Sequence, residues 1–169
     1  MNSYMIPTSR GLSIPKSKGT SQTADTRWSG GSGWALFTQT SQQAVGFSGF
    51  GAFWGSATAS TSLTFADGVL ADTYDVYYVA LASNATFTAT ATGGSGVSAT
   101  QPGGSTQIRK VTCVAASAST SNTVTITHDA TTKTLLILGV EPSLSTAKQV
   151  LMGNAGSSGS SSAEWVSYP

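Results

Sequence analysis

Side chains able to do chemistry are few, and their spacing assembles no machinery. The chain has one histidine, His128, and one cysteine, Cys113. His128 precedes Asp129, but neighbours on a strand project to opposite faces, so adjacency alone makes no dyad and His128 reads as an ordinary strand-end residue. One His and one Cys cannot furnish a zinc set, and a lone cysteine allows no intrachain disulfide. Of the seven acidic residues, only Asp67, Asp72 and Asp75 cluster, in "DGVLADTYD". With backbone oxygens they could hold calcium, but the spacing is not that of an EF-hand loop. Turn and strand-edge roles are the simpler reading. A glycosidase needs two suitably placed carboxylates, and the sequence singles out no such pair. The "GGSG" stretches at 30–33 and 93–96 lack a following Lys-Ser/Thr or a βαβ setting and read as loops, not phosphate cradles. No set of nucleophile, base and orienter emerges, so the expectation is a non-enzymatic protein without cofactor or metal.

The elements that would carry these residues read as strands. From 46 to 142, short runs alternate with turn chemistry. "STSLTF" is followed by "TYDVYYVAL", which places Tyr74, Val76, Tyr78 and Ala80 on one face and Asp75, Tyr77, Val79 and Leu81 on the other. "TQIRKVTCVAA" gives Val111, Cys113 and Ala115 to one face. In "NTVTITH", Val124 and Ile126 point inward and the threonines outward, and "DATT" forms a hairpin loop into "KTLLILGV". The spacing predicts an all-β fold, a β-sandwich of jelly-roll or Ig-like type. Leu135 to Leu138 are apolar at consecutive positions, so both faces of that strand want cover.

Flanking the sandwich, residues 1–45 carry prolines, glycines and hydroxyls without sustained periodicity and read as an extended N-terminal arm. Residues 143–169 read as a short C-terminal tail. The stretch "GFSGFGAFWG" lies in a run from Trp28 to Ala66 that holds no charged side chain. Its aromatics are too sticky for water and its glycines too many for a helix. They offer partial cover for "TLLILGV". A subunit interface is expected at Trp28, Trp34, Phe47, Phe50, Phe53, Trp54 and Trp165, closing most simply into a symmetric trimer.

Composition narrows the partners. Charged residues make up 9% of the chain, against about 25% in ordinary soluble domains, so hydroxyls must cover much of the surface. The formal net charge of +1 comes from scattered residues without a basic stripe, which argues against nucleic acid. No apolar run reaches the roughly 18 residues needed to span a bilayer, and the N-terminus lacks the basic and apolar regions of a signal peptide. This combination suits a protein made in a host cytoplasm and released in a virion.

The successions "ADTYDVYYVALASNATFTATA" and "TVTITHDATTKTLLILGVEP" resemble the β-sandwich modules of tailed-bacteriophage virion proteins, such as fibres and capsid decoration proteins, over residues 60–142. The resemblance implies structural work: copies of itself and other virion proteins as partners, and attachment through a terminal arm. It carries no site residue. The alternative is a carbohydrate-binding module that recognises a host surface glycan, with Trp28, Trp34, Trp54 or Tyr77 stacking on sugar rings.

Overall fold

The computed structural model describes residues 4–7, 27–30, 32–38, 52–66, 68–80, 85–100, 107–146 and 149–152. For 4–7, 36–38, 52–54, 80 and 149–152 the description is limited to the backbone. Asp67, Phe47, Phe50 and Trp165 lie outside the described residues.

The described residues form twelve strands and no helix. In chain order these are β1 (Tyr4–Pro7), β2 (Trp28–Gly30), β3 (Trp34–Thr38), β4 (Ala52–Ser56), β5 (Ser62–Phe65) and β6 (Ala71–Ala80). They continue as β7 (Thr86–Ala91), β8 (Val97–Thr100), β9 (Gln107–Ser119), β10 (Val124–His128), β11 (Leu135–Ser143) and β12 (Gln149–Met152). Two five-stranded sheets, in the orders β2-β5-β10-β7-β8 and β3-β4-β11-β6-β9, make a β-sandwich. A separate two-stranded sheet pairs β1 with β12 in parallel. Within the sandwich the chain changes sheet at every connection except the β3–β4 and β7–β8 hairpins. Long-range pairing of the sheets follows from that weave.

The period-2 pattern explains which faces meet. Tyr74, Val76 and Tyr78 of β6 are buried, as are Cys113 and Ala115 of β9 and Val124 and Ile126 of β10. Leu63, Phe65 and Phe87 line the same sheet as Val124 and Ile126 and face Tyr74, Val76, Tyr78, Cys113 and Ala115 of the other, and all belong to one core cluster. Across the gap the Tyr78 and Phe87 rings pack edge to face, with centroids 5.0 Å apart. Each fully buried large apolar side chain stabilises the fold by about 1.5–3 kcal/mol.

The sandwich begins earlier than residue 46. β2 and β3 fall inside the expected arm, yet each belongs to a five-stranded sheet. Trp28 and Trp34 join the core cluster, and Trp28 packs on Phe65 with centroids 4.8 Å apart. Two short strands with a single large inward residue apiece leave too little alternation to register in a pattern search. At the joining turn Gly33 has φ +98°, a conformation that suits glycine alone.

The expectation for "TLLILGV" holds in detail. Leu135, Ile137 and Val140 face the core, whereas Leu138 is buried outside the core cluster, on the other face. A bulge between Ile137 and Gly139 resets the alternation. β4 does not lie over this strand as a cover. It pairs beside it in the same sheet, with Trp54 in register with Ile137.

Candidate functional site

His128 is the first residue to place. It ends β10 fully buried at 1% exposure. Its Nε2 lies 2.7 Å from the Lys133 carbonyl oxygen, and its Nδ1 lies 3.2 Å from Asp129 Oδ1. The expected absence of a dyad is therefore corrected: the two side chains do meet. The alternation rule holds only inside a strand, and Asp129 is already past the end of β10. Even so, the imidazole is sealed from solvent and occupied on both nitrogens, which leaves it no route to a substrate proton.

Asp129 is a structural hub. Its Oδ1 accepts from the Thr131 amide at 2.9 Å and the Thr131 hydroxyl at 2.5 Å, and its Oδ2 accepts from the Thr86 amide at 3.0 Å. Its backbone carbonyl accepts from the Ser60 amide at 2.8 Å. Three loops are tied at that end of the sandwich. Burial acts to raise the Asp129 carboxyl, but the bonds from Thr131 and Thr86, with His128 alongside, outweigh it and hold the group below its ordinary value. Asp72 plays a similar part after β11. It accepts from the Ser145 amide at 2.8 Å, the Ser145 hydroxyl at 2.6 Å and the Thr73 hydroxyl at 2.9 Å.

The outward faces of the two sheets differ in chemistry. On β5, β7 and β10 every outward position is Ser or Thr, and the hydroxyls bond across strands, as in Ser62 with Thr127 at 3.1 Å and Thr88 with Ser98 at 3.0 Å. Ionic side chains collect on the opposite sheet. There the register sets Glu141 of β11 beside Asp75 of β6 and Asp75 beside Thr112 of β9, while Tyr77 stands between Gly139 and Lys110. Lys110 Nζ donates to Asp75 Oδ2 at 2.6 Å, the Thr112 hydroxyl donates to Asp75 Oδ1, and the half-buried Tyr77 hydroxyl donates to Glu141 Oε2 at 2.8 Å. Half-exposed Ile108 and Val114 flank this cluster along β9.

The electrostatics of this face follow from those contacts. Burial, reinforced by the bond to Glu141 and by the negative charges of Glu141 and Asp75, pushes the Tyr77 phenol well above its ordinary value. The hydrogen bond and charge of Asp75 raise Lys110 and keep it cationic. A neutral aromatic ring is thus set among acceptors and one ammonium donor. Asp75 was singled out with Asp67 and Asp72, but it pairs with Lys110 and Thr112, and among the described residues no group of His, Cys, Asp and Glu side chains is arranged to hold a metal. Glu141, which shares the face, escapes a sequence search because it lies on β11, five strands after the β6 of Asp75 in the chain, and beside it in space.

The interface residues expected from sequence fall in different places. Trp28 and Trp34 are core side chains of the single chain, at 6% and 9% exposure. This corrects their assignment to a subunit contact and to sugar stacking, because rings packed in the core present no face to a partner. Phe53 and Trp54 lie on β4 in register with Phe37 and Leu36, their side chains outside the description. Among the described side chains of the glycan alternative, Tyr77 is the one that reaches an outward face.

No protein-family model matches the chain, and no curated protein matches it in sequence. Among solved structures, the K2 cleaved adhesin domain of Lys-gingipain aligns with a TM-score of 0.54 at 12% identity, over 71% of this chain and 91% of that one. The arabinose-bound α-L-arabinofuranosidase MgGH51 aligns with a TM-score of 0.51 at 12% identity, over 82% of this chain and 28% of that one. The catalytic domain of Agl-KA aligns with a TM-score of 0.50 at 14% identity, over 87% of this chain and 30% of that one. The chain thus spans less than a third of the two larger chains. At such identities the likeness is one of fold: this is a two-sheet β-sandwich of the kind found in an adhesin domain and within two larger chains.

Proposed function

We propose that the protein is a non-catalytic glycan-binding module whose ligand lies on the outward face of the β3-β4-β11-β6-β9 sheet. The observation that carries this is the Tyr77 ring, half-buried on that face and bordered by Asp75, Glu141, Lys110 and Thr112. Sugars present apolar C–H faces and a rim of hydroxyls, which an aromatic ring and a surrounding set of carboxylates, ammonium and hydroxyl match in kind. A non-catalytic role is supported by the sealed His128 and by Asp75, both of whose oxygens already accept hydrogen bonds. The test is a polysaccharide panel in affinity electrophoresis. Wild type is expected to be retarded by at least one glycan and Tyr77→Ala is not, with the circular-dichroism spectrum unchanged. Retardation that survives Tyr77→Ala, or hydrolysis of the retained glycan, overturns the reading.

A second reading, a virion structural role with attachment through the N-terminal segment, is supported by the β1–β12 pair. A two-stranded sheet of "YMIP" and "QVLM" outside both large sheets is marginal by itself in water and gains from a neighbour's surface. The mass in solution tests it. Oligomers that revert to monomers when residues 1–26 are removed support attachment by this segment, and a monomeric full chain counts against it.

A further inference from the structure

We infer that the Tyr77 face selects glycans carrying a free amino group, with Glu141 as counter-ion of the ammonium and the Tyr77 ring beside it. This rests on the glycan-binding reading and adds the ligand class. Among the described residues three charged side chains, Glu141, Asp75 and Lys110, share the face, and Lys110, bonded to Asp75, feels the charge of Glu141 only at longer range. Lys110 and Asp75 form an ion pair at 2.6 Å, and Thr112 completes the coordination of Asp75. Glu141 is half-buried on β11, and its hydrogen-bond partner is the uncharged hydroxyl of Tyr77. Among the described residues no cation lies within ion-pair distance of it.

A carboxylate that is partly withdrawn from water and has no directly bonded cation among its described neighbours is where an added cation gains most. The adjacent ring works in the same direction, since the negative face of an aromatic attracts an ammonium. Among the described residues, two carboxylates and one ammonium give this face a surplus of negative charge. Uronic, sulfated or sialylated sugars are repelled by that surplus, neutral sugars are indifferent to it, and an amino sugar is favoured. The geometry of β11 helps: the residue in register with Tyr77 is Gly139, so β11 sets no side chain directly opposite the ring.

The test compares two β-1,4-linked oligomers of equal length, one of glucosamine and one fully N-acetylated, by isothermal titration on the full chain near pH 6. There the glucosamine amine is largely protonated and an ordinary glutamate ionised. The glucosamine oligomer is expected to bind roughly ten- to a hundredfold more tightly, the range of a charge-assisted hydrogen bond. That ratio should fall towards one in Glu141→Gln, and in wild type it should shrink as salt is raised. A ratio at or below one in wild type, a ratio insensitive to salt, or a ratio unchanged in a folded Glu141→Gln variant overturns the inference. If neither oligomer binds but a neutral glycan of the panel does, the amine preference falls and glycan binding stands. If no glycan binds, both fall.

Discussion

Asp129 and His128 show how much one residue past a strand end can matter. The loops at that end depend on acceptor oxygens of Asp129 and on both nitrogens of a buried imidazole. His128→Ala removes the ring from a fully buried site and strands the Lys133 carbonyl, which should cost about 2–4 kcal/mol, read as a lower urea midpoint at constant m-value. The acid limb is set by the carboxylates. Asp129 and Asp72 are both held below the ordinary carboxylate value in the folded state. Folding therefore binds them less proton than unfolding does, so their contribution is fully present above that value and is lost as pH falls through the lowered one. In Asp129→Asn, the loss of stability between about pH 5 and pH 2 should be shallower than in wild type, measured by urea titration across that window. From sequence His128 was legible as a strand-end residue. Its contact with Asp129 was not, because alternation says where a side chain points within a strand and nothing about the turn that follows.

Strands with full period-2 alternation were legible, as was β11 from its run of consecutive apolar residues, whereas the short β2 and β3 were not. β6, β9 and β10 each repeat inward apolar residues at i and i+2, and the inward faces read from them are the buried ones. β2 and β3 offer three and five residues amid glycines and hydroxyls, so they merged with the segment before them. Their tryptophans nonetheless make them part of the core. Trp28→Ala is expected to cost about 3–5 kcal/mol, and a chain starting after residue 45 should lose cooperative unfolding in calorimetry. A truncation at 45 that melts like wild type would show β2 and β3 to be dispensable. Gly94 gives a second element-scale test. A Cβ there would run into the Val114 carbonyl oxygen, where the β7–β8 turn supports β9, and Thr92 accepts from the Ala116 amide at 3.1 Å in the same place. Gly94→Ala should lower the thermal midpoint even though it adds a single methyl group.

At the scale of the whole molecule the sandwich has two unlike sides, one a lattice of hydroxyls and the other carrying the ionic cluster around Tyr77. Alternation alone reveals that threonines point outward on β7 and β10. It cannot reveal that Glu141, Asp75, Lys110 and Tyr77 share one face, because that requires knowing that β11, β6 and β9 are neighbours. The asymmetry predicts that Thr88→Arg with Thr125→Arg leaves glycan retardation intact while Tyr77→Ala removes it, measured in the same gel. Cys113 provides an internal clock for the molecule's opening. Its thiol is fully buried on the inner face of β9, and burial pushes it up to about 11, so an alkylating reagent at neutral pH meets neither an accessible sulfur nor a thiolate. Each labelled molecule therefore records that β9 has come away from the opposite sheet. The labelling rate follows the population of that open state, and a ligand seated on the outer side of the same sheet should slow it without touching the sulfur.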